Sequence, residues 1–223
     1  MAVAAVEAAA QVGGRRMLDA DEAAAFRGVG RLNIAGRRFC TATLIAPDVV
    51  VTAAHCLFHP VSQARVPVEE LTFVAGLRLG EKAAVRKVSK AVTQPEFGFE
   101  GIADAAGVRA DLAVLALKRP VPEEAAAAFG TAELEVGPLV VVSYARDRAH
   151  APSTEACSIE VVFGGVAALD CAVTPGASGA PVLQDGKVVG VVSAMGRTLE
   201  DGREVTLAVL VGPWIGPLLE VLD

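Results

Sequence analysis

Nine residues, TPGASGAPV from Thr174 to Val182, set an Ala-Ser pair between two glycines and flank it with prolines. Gly176 and Gly179 imply backbone angles that a side chain would forbid, or a backbone that something must approach closely. Taken alone, the stretch reads first as a tight turn between strands. A serine hydroxyl attacks a carbonyl at neutral pH only with a base in hydrogen-bond reach and a third group to orient that base. The chain has three histidines, and one of them, His55, closes the apolar run VVVTAAHCLF. Asp111 opens a second apolar run, ADLAVLAL, where a carboxylate is costly unless it is hydrogen-bonded. A satisfied histidine and a turn aspartate are the bland readings of each residue by itself. Together, His55, Asp111 and Ser178 follow one of the three chain orders in which a base, its orienter and a serine recur.

Such residues need elements to bring them together from distant parts of the chain. Short strand-like runs recur along the sequence, rich in β-branched residues or alternating between apolar and polar. The first half holds GRLNIAG, RRFCTATLIA, DVVVTAA, LTFVAGL, AAVRKVSKAVT and DLAVLAL. The second holds PLVVVSYA, ACSIEVVFG, GVAALDC, APVLQDG, KVVGVVSAM and EVTLAVLV. Asp185-Gly186 between apolar flanks predicts a hairpin, and Pro47-Asp48 a turn. Six runs on each side of the proline-bearing stretch KRPVPEEAAAAFGTAELEVG predict an all-β chain with two similar halves. A short part of that stretch is a candidate helix. The tail GPWIGPLLEVLD places Trp214, Ile215, Leu218, Leu219 and Leu222 on one face of a short C-terminal helix.

The predicted division is an N-terminal segment over 1–30, a first barrel over 31–118, a linker over 119–135, a second barrel over 136–211 and the helix over 212–223. A length of 223 residues suits one large domain or two small ones sharing an interface. With 53% hydrophobic and 21% charged residues, the chain has ample material for a packed core. A net charge of −6, with no basic stripe interleaved with aromatics, excludes a nucleic-acid binder from the expected classes. No apolar run is long enough to span a bilayer, so no membrane partner is expected. The opening MAVAAVEAAAQVGGRR does not read as a secretory signal peptide, because its positive charges follow the apolar stretch and Glu7 interrupts it. The four cysteines, Cys40, Cys56, Cys157 and Cys171, form no CxxC pair, so no metal site and no cofactor is expected. Three pairings are open to them. Their split into an early and a late pair favours Cys40–Cys56 and Cys157–Cys171, with four buried thiols as the other reading.

The segments CTATLIAPDVVVTAAHC, DLAVLAL, DCAVTPGASGAPV, VVGVVSAMG and the terminal PWI…LL resemble a chymotrypsin-like (trypsin-fold) serine peptidase, above all the bacterial secreted branch that includes glutamyl endopeptidases. The resemblance runs from about Arg31 to the end. It implies two six-stranded antiparallel β-barrels with a cleft between them, followed by a short C-terminal helix. It also implies disulfides Cys40–Cys56 and Cys157–Cys171, each contributing about 3 kcal/mol in the chain-entropy treatment, and with them a secreted or periplasmic location in a bacterium. By the same resemblance Ser178 is the nucleophile, His55 the general base and acid, and Asp111 the orienter. The backbone N–H groups of Gly176 and Ser178 form the oxyanion hole. Ala172 stands at the base of the primary specificity pocket, and Ser193, Ala194, Met195 and Gly196 form the strand to which a polypeptide substrate adds. The implied protein is a monomeric serine endopeptidase working through an acyl-enzyme.

Several positions depart from the family pattern. Ala177 replaces the aspartate that pairs with a new N-terminus in trypsin, so activation through that pair does not operate here. Arg15-Arg16 is a candidate processing site. Val192 stands where glutamate-specific relatives carry a histidine, with Arg197 nearby, and the uncharged Ala172 argues against a basic P1 residue and leaves a small or apolar one. Ala42 stands where glycine is common. The alternative class is a protease-fold binding protein that has lost catalysis, which usually shows a broken triad or lacks the oxyanion glycine; this sequence keeps the triad residues and the glycine. A protease-chaperone with an appended peptide-binding domain would need more chain.

Overall fold

The computed structural model describes residues 15–99, 105–198 and 200–223. The first fourteen residues of the predicted N-terminal segment therefore lie outside the described ones. The six strand-like runs of the first half become β2 (Val29–Ile34), β3 (Arg38–Ala46), β4 (Val49–Thr52), β5 (Leu71–Ala75), β6 (Ala84–Thr93) and β7 (Ala113–Leu117), preceded by β1 (Arg16–Met17). Strands β2 to β7 close into a barrel in the order β2-β3-β4-β7-β6-β5, antiparallel throughout. Alternation drives the closure. In β2, Gly30, Leu32 and Ile34 share the inner face, while Arg31 and Asn33 face outward. The β2–β3 turn takes Ala35 and Gly36 at φ of 51° and 65°. Positive φ at both positions matches the right-handed twist of the hairpin it joins.

The second half folds as β8 (Leu139–Ser143), β9 (Ser153–Cys157), β10 (Ile159–Phe163), β11 (Val166–Leu169), β12 (Pro181–Gln184), β13 (Lys187–Arg197) and β14 (Glu204–Leu210). With β1 they make one sheet in the order β1-β9-β8-β12-β13-β14-β11-β10. The run ACSIEVVFG covers β10 and only the last two residues of β9, whose first three, Ser153–Glu155, lie before it. It breaks at Ser158, whose N–H donates to the Asp170 carboxylate at 2.6 Å while its carbonyl accepts from the Asp170 N–H at 3.1 Å. Because β9 and β10 are contiguous in sequence yet lie towards opposite ends of the sheet order, this break is where the sheet bends back on itself. The predicted hairpin at Asp185-Gly186 joins β12 to β13, with both residues at positive φ.

Three helices complete the described chain: α1 (Ala20–Ala25), α2 (Ala105–Ala110) and α3 (Gly212–Leu222). The C-terminal helix forms as expected, and Ile215, Leu218 and Leu222 are its buried face, packed on β6 and β7. Lys90 of β6 donates to the carbonyls of Val221 and Leu222 at 2.7 Å each, satisfying the open end of α3. The tail of the second half thus fastens onto the first barrel. The stretch between the halves forms no helix. It makes a single turn at Pro122–Ala126, after which Phe129 stacks on Phe26 and its N–H donates to Leu44. Ala132 then bonds to Val188, so the connection hands the chain directly from one sheet to the other.

Candidate active site

Strand β4 runs into a 3-10 turn, Ala54–Leu57, that carries His55. The Cys40–Cys56 disulfide ties that turn to β3 across a Cα–Cα distance of 6.3 Å. Asp111 sits between α2 and β7 and is 3% exposed. Both of its oxygens are engaged. One accepts the His55 backbone N–H at 2.7 Å, and the other accepts His55 Nδ1 at 2.7 Å and Ser193 Oγ at 2.5 Å. A buried carboxylate holding three donors is a stable anion acceptor rather than an orphan. Because the carboxylate accepts from Nδ1, that nitrogen carries the ring proton, and Nε2 is left with a free lone pair. The ring is therefore fixed in position and in tautomer. His59 plays a plainer, structural part, its Nδ1 accepting the N–H groups of Val61 and Ser62 in a turn.

Ser178 lies on the loop between β11 and β12, whose two glycines answer to different constraints. Gly179 has φ of 80°, and a Cβ there would sit 2.2 Å from both the Thr41 carbonyl and Thr52 Oγ1. Gly176 has φ of 103°, and a Cβ would lie 3.0 Å from the Tyr144 carbonyl and the Arg146 nitrogen. The loop is held mainly through its carbonyls. Ser178 O accepts the Thr41 N–H at 2.9 Å, Pro175 O accepts the Arg146 N–H at 2.8 Å, and Gly176 O accepts from Thr41 Oγ1 at 3.2 Å. Thr41 Oγ1 also accepts the Tyr144 N–H at 3.0 Å, and Thr52 Oγ1 donates to Thr41 O at 2.7 Å. These two threonines, both fully buried, bolt the loop of the second sheet to the barrel that carries His55.

The peptide N–H groups of Gly176 and Ser178 donate to no acceptor among the described residues. In the Pro175–Gly176 peptide the carbonyl is held by Arg146, and a planar trans peptide aims its N–H the opposite way. The structure brings His55, Asp111 and Ser193 into one hydrogen-bonded group. The loop of Ser178 is tied to the strand of Ser193 by the Gly179 N–H, which donates to Val192 O at 2.7 Å. Ser178 Oγ is not hydrogen-bonded to His55 Nε2, so the third member expected from the sequence is not joined to the group formed by His55, Asp111 and Ser193.

Residues Ala194, Met195 and Gly196 pair with β14 on one side, while the pairing of β13 with β12 ends at Val191. The other edge of Ser193–Gly196 is thus open among the described residues, and Met195 is 50% exposed. Ala172 is exposed just after Cys171, which is bridged to Cys157. Beneath it stands Glu155, not singled out by the sequence. Burial pushes its carboxyl above the ordinary range, partly offset by the Ala172 N–H. Arg15 and Arg16 are both engaged, Arg15 with Asp147 at 2.7 Å and Arg16 with Glu22 at 2.6 Å.

A closed barrel that carries His55 and Asp111 and a second sheet that carries the Ser178 loop define the class of the trypsin-like double-sheet fold. The family model described as a trypsin-like peptidase domain matches residues 40–191, more than half of the chain. The chain belongs to the trypsin-like peptidase family. Among solved structures it is similar to a Glu endopeptidase solved in complex with MPD, at 15% identity and a TM-score of 0.76, covering 95% of this chain and 97% of that one. It is similar to the scabies mite inactivated protease paralogue S-D1, at 12% identity and a TM-score of 0.74, with 95% and 97% covered. It is also similar to neuropsin, a serine protease expressed in the limbic system of mouse brain, at 14% identity and a TM-score of 0.74, with 95% and 100% covered. At these identities the likeness is one of fold.

Proposed function

We propose that this chain is a serine endopeptidase that cleaves polypeptides through an acyl-enzyme. The observation that carries the reading is the buried Asp111 carboxylate, which holds His55 by both its ring Nδ1 and its backbone N–H. Ser178 Oγ attacks the scissile carbonyl and passes its proton to His55 Nε2. Asp111 stabilises the imidazolium so formed, and Ser193 Oγ keeps a second donor on the same carboxylate oxygen. The tetrahedral oxygen is received by the N–H groups of Gly176 and Ser178, which have no competing acceptor among the described residues. Loss of one such donor costs about 3 kcal/mol of transition-state stabilisation. His55 then protonates the leaving amine, and water enters by the reverse sequence to release the acyl group.

A substrate adds as an antiparallel strand to the open edge at Ser193–Gly196, with the residue before the scissile bond directed towards Ala172. Both disulfides are formed, as suits a secreted or periplasmic enzyme. No helix among the described residues is long and apolar enough to cross a membrane. A fluorophosphonate probe tests the reading, since it labels only an activated serine. Label mapped to Ser178 in the wild type, and lost in His55→Ala, is the expected result. A folded wild type that takes up no label is instead a protease-fold binding protein.

A further inference from the structure

The nucleophile loop has no strand of its own to hold the Pro175–Gly176 peptide, yet the direction of the Gly176 N–H depends on that peptide. Its carbonyl is fixed by one bond from outside the loop, the Arg146 N–H at 2.8 Å. Arg15 grips the chain on both sides of that bond. Its Nη1 donates to Thr174 Oγ1 at 2.5 Å, one residue before Pro175. Its Nη2 donates to Asp147 Oδ2 at 2.7 Å, one residue after Arg146, with Nη1 3.4 Å from Oδ1. Thr174 Oγ1 and Asp147 Oδ1 are themselves 3.3 Å apart. Arg15 in turn is anchored from behind: Arg148 Nη1 donates to its carbonyl at 3.4 Å, and the adjacent β1 pairs Arg16 with Thr154 and Met17 with Ser153. The Arg15 side chain is 20% exposed and that of Asp147 47%, so the Thr174 arm of the fork is part-buried while the Asp147 arm faces water.

We infer that Arg15 is a positioning residue for catalysis: its guanidinium clamps Thr174 to Asp147 and so holds the Gly176 N–H towards the cleft. The inference rests on Gly176 and Ser178 acting as proposed above. A planar fork suits this role because it meets two acceptors at once, which an ammonium group does not do with the same geometry. The clamp also gives the Arg15-Arg16 pair a meaning other than a processing site. A cut after Arg15 would carry the guanidinium away from the loop and lower activity.

Four variants test the clamp: Arg15→Ala, Arg15→Lys, Thr174→Val and, as a control one residue away, Arg16→Ala. Arg15→Ala is expected to lower kcat and the rate of fluorophosphonate labelling by about tenfold to a hundredfold with KM little changed, the scale of a displaced reacting group. Arg15→Lys should recover part of that loss, and Arg16→Ala should stay within about twofold of wild type, since its partner Glu22 lies off the loop. Thr174→Val keeps the Arg15–Asp147 pair and should fall between the two, which decides the matter even where Arg15→Ala does not fold. Hydrogen exchange at the Arg146 and Ala177 amides, which bond to Pro175 O and Thr174 O, should quicken in Arg15→Ala and Thr174→Val. Unchanged kinetics and unchanged exchange in folded variants would overturn the clamp. If the wild type neither labels nor hydrolyses substrate, only the catalytic reading falls, and exchange alone decides the clamp.

Discussion

The two sides of the cleft are built on opposite principles. On the barrel side Asp111 is buried, both its oxygens are bonded, and His55 is held at two points. On the loop side the carbonyls of Pro175, Gly176 and Ser178 are all bonded, while the N–H groups of Gly176 and Ser178 have no acceptor among the described residues. The mechanism proposed above needs His55 in one orientation and one tautomer, and the two bonds to Asp111 hold it so. In that proposed mechanism the N–H groups of Gly176 and Ser178 must be aimed but unspent, and the loop is held by the other ends of its peptides. Rigidity on this side is imported, from Thr41 and Thr52 in the barrel and from Arg146 and Arg15 outside it.

Replacing Gly179 breaks the loop side most severely. Gly179→Ala puts a methyl 2.2 Å from two fixed oxygens, and the expected loss is about 3–5 kcal/mol of stability in denaturant unfolding. Gly202→Ala is the matched comparison. It shares a positive φ but meets nothing within 4 Å, and should cost only about 1–2 kcal/mol of backbone strain. Equal losses would mean that backbone conformation, not close approach, selects glycine at 179. A smaller effect is expected on the barrel side. Ser193→Ala removes one of three donors from Asp111, and a hydrogen bond to a charged group of about 1.5–3 kcal/mol corresponds to a fall in kcat of roughly tenfold to a hundredfold. The melting temperature and KM should move little, and an unchanged kcat would show that His55 alone suffices to hold the carboxylate.

The smallest effect concerns the lead-in segment that delivers Arg15. The Arg16 side chain and the Asp19 N–H pull the Glu22 carboxyl down from its ordinary 4.5 to about 2. Asp19 and Glu22 cap α1 reciprocally. A carboxyl lowered on folding stabilises the native state fully above its unfolded value, and that contribution fades as pH falls from about 4.5 towards 2. With side chains about one-third exposed, the pair is worth less than about 1 kcal/mol. The stability gap between wild type and Glu22→Gln should therefore be present at pH 6 and close by pH 2. A gap independent of pH would assign Glu22 a purely geometric role.

All twelve strand-like runs are legible in the sequence because each carries its own alternation and turn residues, which are local signals. His55, Asp111 and Ser178 stand out for the same reason, each in a context that strand physics alone does not require. What stays hidden depends on partners far away in the chain. Arg15 meets Thr174 and Asp147 across separations of 159 and 132 residues, and nothing near Arg15 marks it as different from its neighbour. The hydroxyls of Thr41 and Ser193 look like ordinary strand residues until the sheets are folded together. Helix α2, six residues long, is too short to show a period, and the alanines of the linker suggest a helix where the chain makes only a single turn. The division of ACSIEVVFG at Ser158 needs Asp170, which arrives only when β11 pairs.

The most direct test is the initial rate of casein hydrolysis by the wild type, His55→Ala and Ser178→Ala at equal concentration. If the pair held by Asp111 activates Ser178, the wild type should exceed both variants by at least about four orders of magnitude, the scale of a lost triad member. A folded wild type no faster than Ser178→Ala, with both at the rate of buffer, would contradict it.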